Sequence, residues 1–463
     1  MRSNLGQAES QLKRFLPAKF EELRISSTIV MANPVAELKQ ISENLPKSSG
    51  GGSWMCRSRR PYNCFLPPFM LLEIAQNGTP LQQAHARQNL ASSWQFRVSR
   101  AATTGAMTIL EPDDLAVSTV MERLVYDAEH GSVLPGRLVM GEGDPPSDDK
   151  SVNEAYEGSG ATYELFKEVY GRNSIDNRGM PISSTVHFGL GYDNAFWNGR
   201  QMVYGDGDEN LPPDQRLFNR FTISLDIMGH ELTHGVTQFE AGLLYSGQSG
   251  ALNETVSDVF GILVKQRLLN QNVDEADWLI GHNLLTENVN GTAIRSMKEP
   301  GTAYNDPILG KDPQPGHMDD YVVTTEDAGG VHINSGITNR AFYVMAMEIG
   351  GYAWEKAGQI WYLALTEKLN ATSDFGAAAQ LTYEAAGELY GKGSLEQKAV
   401  RVGWDEVGLS VGSVSSENGG SDGGGENGGS GGNPNNSSGG SDNPGCLNSV
   451  IRNNYLRQLF SRY

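Results

Sequence analysis

Three residues, His230, Glu231 and His234, sit in the pattern His-Glu-x-x-His within Met228-Gly-His-Glu-Leu-Thr-His-Gly-Val-Thr237. On a helix, His230 and His234 stand one turn apart on the same face. Two imidazoles so placed can grip one Zn²⁺ and leave room for a water. Glu231 lies beside such an ion rather than on it, which suits a general base for the attacking water. Twenty residues past His234, Glu254 and Asp258 stand at i and i+4 within Ala251-Leu-Asn-Glu-Thr-Val-Ser-Asp-Val-Phe-Gly261. Glu254 can supply a third ligand. Asp258, one turn on, can accept the free N–H of a ligating histidine, which fixes its tautomer and raises its basicity. Two solvated helix histidines would be the plainer reading, but that reading leaves three correctly spaced carboxylates without a reason.

The elements that must carry these residues are legible in outline. Helical periodicity covers 226–239 and 251–270, then 335–349, 352–369, 374–390 and 394–403. Before residue 226 the pattern is β-rich. Leu124 to Gly136 reads as two strands around a turn, Thr185 to Phe188 and Gln201 to Tyr204 as strands, Gly205 to Asp208 as a loop, and 152–171 as one helix. This is an α+β chain of two lobes, with the chemistry at their junction, where clefts form. Near the start, 12–23 and 33–45 read as helices, and Ser48 to Ser53 as a flexible break. Pro67-Pro68 opens a further helix running toward Gly78, and 79–103 follows as another.

Composition narrows the function. The 463 residues carry a net charge of −19, spread unevenly. Residues 1–104 hold 13 Lys/Arg against 6 Asp/Glu, a net +7, which leaves −26 on the remainder. A basic leader on an acidic body points to an intramolecular partner, and the acidic body argues against nucleic acid. No run of about 18 apolar residues is present, so no membrane span is expected. The first 30 residues show no unbroken apolar core of a signal peptide. The expectation is a cytoplasmic protein, or one exported without a signal peptide. Cys56, Cys64 and Cys446 all fall outside the stretch that carries the chemistry. From 411 to 463 the chain is mostly Gly, Ser and Asn and is expected to be disordered, with a short docking segment possible only at its end.

With these motifs in hand, the chain resembles the thermolysin family of gluzincin metalloendopeptidases, and within it the protealysin-like branch with a short propeptide. The resemblance spans roughly 63–410. It rests on Tyr192-Asp-Asn-Ala-Phe-Trp-Asn-Gly-Arg-Gln-Met-Val-Tyr-Gly-Asp-Gly-Asp208, His230 to His234, Gly250 to Asp258, and Gly329-Gly-Val-His-Ile-Asn-Ser-Gly336. It implies a thermolysin-like unit with a β-rich lobe at 113–225 and a helical lobe at 226–410. It implies a zinc-dependent neutral endopeptidase with His230, His234 and Glu254 as ligands, Glu231 as base, and Asp258 and Asn253 behind the ligands. Tyr245 and His332 would stabilise the oxyanion, and Asp327 would orient His332. Asn194, Ala195 and Trp197 would pair with an extended peptide, and Arg295 would face a substrate carbonyl. Phe218, Phe221, Ile227 and Ile294 would line the pocket on the amine side of the cleaved bond, which implies cleavage before hydrophobic residues. Phe221 stands where smaller side chains are common, so a narrower pocket is expected. His85, His130, His187, His282 and His317 are expected to serve only packing.

The chain also departs from the family. Asp226 and Asp277 match two carboxylates of the family's double calcium site, but Lys265, Leu279 and His282 replace acids there, and Thr292 replaces another. The double calcium site is therefore expected to be absent, with the Lys265 ammonium in its place. After a variable extension, 1–62, the resemblance makes 63–112 an inhibitory propeptide that contacts the cleft through Pro67-Pro68-Phe69-Met70-Leu71, with a cleavage zone at 101–112. Cys64 or Cys56 could reach the zinc as a thiolate, and a small buried apolar residue is the alternative. The expected partners are peptide and protein substrates and the chain's own leader, with no nucleic acid or membrane, in a monomer. A zinc-holding binding module without turnover is the rival class. It has no need of Glu231 or of the two oxyanion groups.

Overall fold

The computed structural model describes residues 63–103 and 118–411. The segments 12–23, 33–45 and 48–53, Cys56, Cys446, nearly all of the expected cleavage zone and the tail from 412 lie outside the described residues. The described chain opens with β1 (Asn63–Cys64), α1 (Pro68–Asn77) and α2 (Pro80–Thr103). Pro68 falls in the first turn of α1, where a missing N–H has no intrahelical partner to lose, and Gly78 closes the helix. Ten residues cannot bury a core of their own. Met70, Leu71 and Ile74 instead enter the main core of the body.

The β-rich lobe is a six-stranded sheet. It adds β2 (Arg123–Asp127), β3 (Arg137–Met140), β4 (Ile182–Val186), β5 (Ala195–Trp197) and β6 (Met202–Tyr204) in the order β1-β5-β6-β4-β2-β3. β2, β4 and β6 run parallel, and the other pairings are antiparallel. Helix α3 (Lys150–Glu164) packs on this sheet, its first turn capped by Asp149, which accepts from the N–H groups of Ser151 and Val152. Two expected strands shift. Ser132 to Gly136 is not extended, because Pro135 has no N–H for a ladder and Gly136 turns at φ +94°; the partner strand begins only at Arg137. β4 stops before His187, whose φ of +52° breaks the ladder.

The helical lobe comprises α4 (Leu225–Phe239), α5 (Gly247–Leu269), α6 (Asp327–Ile349), α7 (Lys356–Leu363), α8 (Phe375–Tyr390) and α9 (Leu395–Glu406). A short hairpin of β7 (Leu279–Ile280) and β8 (Arg295–Ser296) lies between α5 and α6 in sequence. α5 begins four residues before the expected 251. α6 is assigned from Asp327 rather than 335, and the span 352–369 divides into α7 and a π-turn at Ala364–Lys368. α4 and α5 meet at two glycines. A Cβ on Gly261 would fall 2.5 Å from the Asp226 carbonyl and 3.0 Å from His230 N, and one on Gly229 would fall 3.0 Å from Gly261 Cα. The bare backbones let the helix bearing His230 and the helix bearing Glu254 approach closely enough for their side chains to converge. At the flank of this crossing, Lys265 Nζ reaches Asp226 at 3.2 Å, Asp277 at 2.9 Å and the Leu279 carbonyl at 3.1 Å.

Candidate active site

His230 and His234 are buried on the inner face of α4. His230 Nδ1–H donates to Asp258 Oδ1 at 2.8 Å, and His234 Nδ1–H donates to Asn253 Oδ1 at 2.8 Å. The Asn253 amide is oriented by its own donation to the Leu243 carbonyl. With both Nδ1 atoms protonated, the two Nε2 lone pairs face each other across 3.0 Å. The Glu254 carboxylate stands 3.5 Å from each of them. Three lone-pair donors converging in a dry pocket repel one another unless a cation lies among them. Glu254 Oε2 is buried there without a hydrogen bond. The donor set therefore fits one zinc ion, two imidazoles and a carboxylate leaving a position open. Burial pushes His234 down to about 3, which keeps it in the neutral form that ligates metal.

Glu231 lies beside these donors. Its Oε2 accepts from the Trp197 N–H at 2.9 Å, while Oε1 is buried and has no hydrogen-bond partner. Burial, with the charge of Glu254, pushes Glu231 well above an ordinary carboxylate. Asp258 is held low: burial opposes its charge, but Arg295 and His230 outweigh it. Arg295 clamps Asp258 through two bonds of 2.9 and 2.8 Å, and Asn339 donates to the same carboxylate.

Across the cleft, Asp327, Ala328, Gly329 and Gly330 form a left-handed turn with φ between +50° and +90°. Such a conformation costs a residue with a Cβ roughly 1–2 kcal/mol. It bends Asp327 back onto His332, whose Nδ1–H and backbone N–H donate to that carboxylate at 2.6 and 2.8 Å. Burial works against a charge on His332, but Asp327 and Glu254 outweigh it and raise its pKa. The Tyr245 hydroxyl lies 3.1 Å from His332 Nε2 and donates to Glu254. Burial and the Glu254 charge keep Tyr245 protonated.

The leader runs through this cleft. β1 pairs antiparallel with β5, Cys64 opposite Phe196. Phe65 N–H donates to the Ala195 carbonyl at 3.0 Å, and Leu66 N–H donates to Asn194 Oδ1 at 2.8 Å. His332 Nε2 meets the Cys64 carbonyl at 3.1 Å, and Arg295 reaches the Phe65 carbonyl at 3.4 Å. The Phe65 ring is fully buried. It lies edge-on to His230 at 5.5 Å, under the Arg295 guanidinium, and its tip stands with Ile294 against Gly281; Phe218, Phe221 and Ile227 belong to the same main core. The Cys64 side chain packs with Phe188, Tyr192, Phe196 and Val203.

The structure brings His230, Glu231, His234, Tyr245, Asn253, Glu254, Asp258, Arg295, Asp327 and His332 together, with Asn194, Ala195 and Trp197 on the adjoining segment, and buries Phe218, Phe221, Ile227 and Ile294 in the main core. Sequence reasoning missed Phe65, which is adjacent to the expected Pro-Pro contact, and Ser257, whose hydroxyl lies 2.9 Å from His234 Nδ1. Ser257 stands four residues after Asn253 on α5, so the i,i+4 spacing that picked out Asp258 would have found it. His187 was expected only to pack, but it bridges two aspartates, Asp149 at 2.7 Å and Asp206 at 2.9 Å.

Comparison with known proteins agrees with this geometry. Residues 121–238 match the family described as "Thermolysin metallopeptidase, catalytic domain", and 241–409 match "Thermolysin metallopeptidase, alpha-helical domain". The chain is 47% identical to an extracellular metalloprotease of Pectobacterium carotovorum subsp. carotovorum, over 76% of this chain and 98% of that protein. It is 46% identical to protease PrtS of a Photorhabdus strain, over 76% of this chain and 93% of that one. Among solved structures it resembles the precursor of protealysin, a metalloproteinase from Serratia proteamaculans. That likeness has a TM-score of 0.67 and 47% identity, and covers 75% of this chain and all of the other.

Proposed function

We propose, since this chain belongs to the thermolysin family of metallopeptidases and is a zinc-dependent neutral endopeptidase made as a precursor, that it cuts peptide bonds on the amino side of hydrophobic residues and that its leader keeps it latent by lying in the cleft as a substrate would. The seat of the leader carries this reading: the Cys64 carbonyl on His332, the Phe65 N–H on Ala195 and the Phe65 ring buried between His230 and Arg295. On the proposal, an extended peptide adds a strand along β5 through Asn194, Ala195 and Trp197. Arg295 holds the carbonyl of the residue after the cut, and Phe218, Phe221, Ile227 and Ile294 take that residue's side chain.

His230, His234 and Glu254 would hold the zinc, which supplies Lewis acidity to the attacking water and to the peptide carbonyl. Glu231 takes the proton of that water and passes it to the leaving amine. His332 and Tyr245 donate to the oxygen on which charge develops, and Asp327 keeps His332 charged and aimed. Such donors are worth about 3 kcal/mol each. The leader leaves the extended path at Pro67, where the chain turns into α1, so residues 63–112 act as an intramolecular inhibitor joined to lobes at 113–225 and 226–410.

Lys265, between Asp226 and Asp277, supplies the positive charge that relatives obtain from calcium. All the groups invoked come from one chain, so a monomer suffices. The Pectobacterium relative is named extracellular, and on that ground this chain is read as an exported enzyme.

The specificity reading is tested with matched peptides that vary one residue on each side of a single bond. The expected result is a kcat/KM at least tenfold higher with Phe or Leu than with Ala after the cut, and almost none with Asp. A preference set by the residue before the cut would contradict it.

A further inference from the structure

The leader brings a second set of ligand-type side chains against the catalytic lobe, distinct from the zinc cleft. His85 and Asn89 stand one turn apart on α2 and face Asp193 and Asp208 of the β-rich lobe. One imidazole nitrogen of His85 and one oxygen from each aspartate all lie within 4.8 Å of one another. Asp193 is 4% exposed and Asp208 is 2% exposed. Asp208 Oδ2 is engaged by the N–H groups of Leu217 and Phe218, and Asp193 Oδ2 by the Asn89 amide at 3.0 Å. Asp193 Oδ1 and His85 Nδ1 are buried with no hydrogen-bond partner. The unengaged donors of a buried carboxylate and an imidazole thus gather beside Asp208 Oδ1.

The spacing selects what can lie among them. His85 Nδ1 and Asp208 Oδ1 are 3.8 Å apart. That exceeds a hydrogen bond, which ends near 3.5 Å. It lies within the reach of an ion pair, about 4 Å. Two ligands of one tetrahedral divalent ion, each at about 2.0–2.2 Å, stand roughly 3.3–3.6 Å apart, so the pair is a few tenths of an ångström wider than an ion would draw it. Two buried carboxylates that converge on one imidazole also call for a positive charge among them. The lobe is shaped to admit the imidazole. Gly191 has φ +61°, and a Cβ there would fall 2.5 Å from the His85 ring.

We propose that His85, Asp193 and Asp208 form a second divalent-cation site, suited to Zn²⁺, that fastens the leader to the catalytic lobe. Imidazole with carboxylates is a donor set that zinc accepts, and Asn89 holds Asp193 from behind. Because one ligand belongs to the leader and two to the lobe, the ion stabilises the docked leader by mass action. The site also braces the cleft. Asp193 precedes Asn194, which holds Leu66, and Asp208 holds the backbone of Phe218 in the substrate pocket. Loss of the leader removes the imidazole and dissolves the site.

The test measures bound zinc in the full-length precursor carrying Glu231→Gln, equilibrated with micromolar Zn²⁺ and desalted, by plasma mass spectrometry. The expected content is two ions per chain, falling to one when His85→Gln or the isosteric Asp193→Asn is added. Mild chelation should lower the melting temperature of the parent and leave the double variants unchanged. One ion per chain in the parent, unaffected by His85→Gln, would overturn the proposal. The parent's own stoichiometry decides the matter should either added substitution prevent folding. A precursor that binds no zinc at all would overturn both this site and the proposed catalytic centre.

Discussion

Burial acts on His234 and His332 in the same direction, yet their pKa values move in opposite directions, because their neighbours differ. Nothing near His234 outweighs its burial, so it is held neutral down to about 3 and offers a lone pair. His332 faces Asp327 and Glu254, and its pKa rises. The first outcome suits a ligand and the second a donor to an oxyanion. At this scale the sequence was informative where spacing is local. His230, Glu231 and His234 lie in one turn, as do Glu254 and Asp258, and a helix converts such spacing into a common face. Phe65 was not legible, because the groups its ring meets, His230 and Arg295, are far away in sequence and no local pattern marks it. The ion pair of Lys265 with Asp226 and Asp277 was legible by charge alone. Its role yields a prediction. Calcium should leave the melting temperature unchanged, and Lys265→Ala should lower stability by roughly 3 kcal/mol by leaving Asp226 buried without its cation. A large calcium-dependent rise in the melting temperature of the unmodified chain would contradict this.

Between elements, the α4–α5 crossing decides whether the ligands converge. Gly261 stands against the Asp226 carbonyl and His230 N, so Gly261→Ala forces the helices apart. Overpacking of this kind costs about 1–3 kcal/mol. The expected outcome is a weaker zinc affinity, read by competition with a chromogenic chelator, beside a lowered melting temperature. Unchanged affinity would show that the crossing has slack. A second junction ties β4 to the cap of α3. Asp149 and then Asp206, bonded to His187, raise that histidine from its ordinary value to about 10 against its burial. A raised histidine stabilises the fold fully below its unfolded pKa of about 6.5 and loses that contribution as pH climbs through its folded pKa. The melting temperature should therefore decline between about pH 6.5 and 10, and His187→Asn should lower it at pH 7 and flatten that decline. Parallel slopes for the two proteins would refute the assignment. The sequence pattern located most helices within a few residues. It failed where one residue's backbone ended a strand, at Pro135 and His187, since periodicity carries no information on φ.

For the molecule as a whole, the leader lies along β5 and against His332, and the proposed function reads that register as a substrate's. The α+β division near residue 226 was legible because hydrophobic period changes there from two to 3.6. The leader's attachment was legible only as a charge contrast and a Pro-Pro signal. Its actual hold, β1 on β5 with Phe65 buried between His230 and Arg295, depends on pairing across more than 130 residues. A latent enzyme of this build should free itself by its own chemistry, and that is the central claim. The direct measurement follows the purified precursor over time on denaturing gels and with casein, beside a Glu231→Ala variant and a sample held in phenanthroline. The account predicts that the unmodified chain shortens near 101–117 and gains chelator-sensitive activity while the variant and the chelated sample do neither. A variant that matures and digests casein as the unmodified chain does would contradict it, as would an unmodified chain that binds zinc but never cleaves.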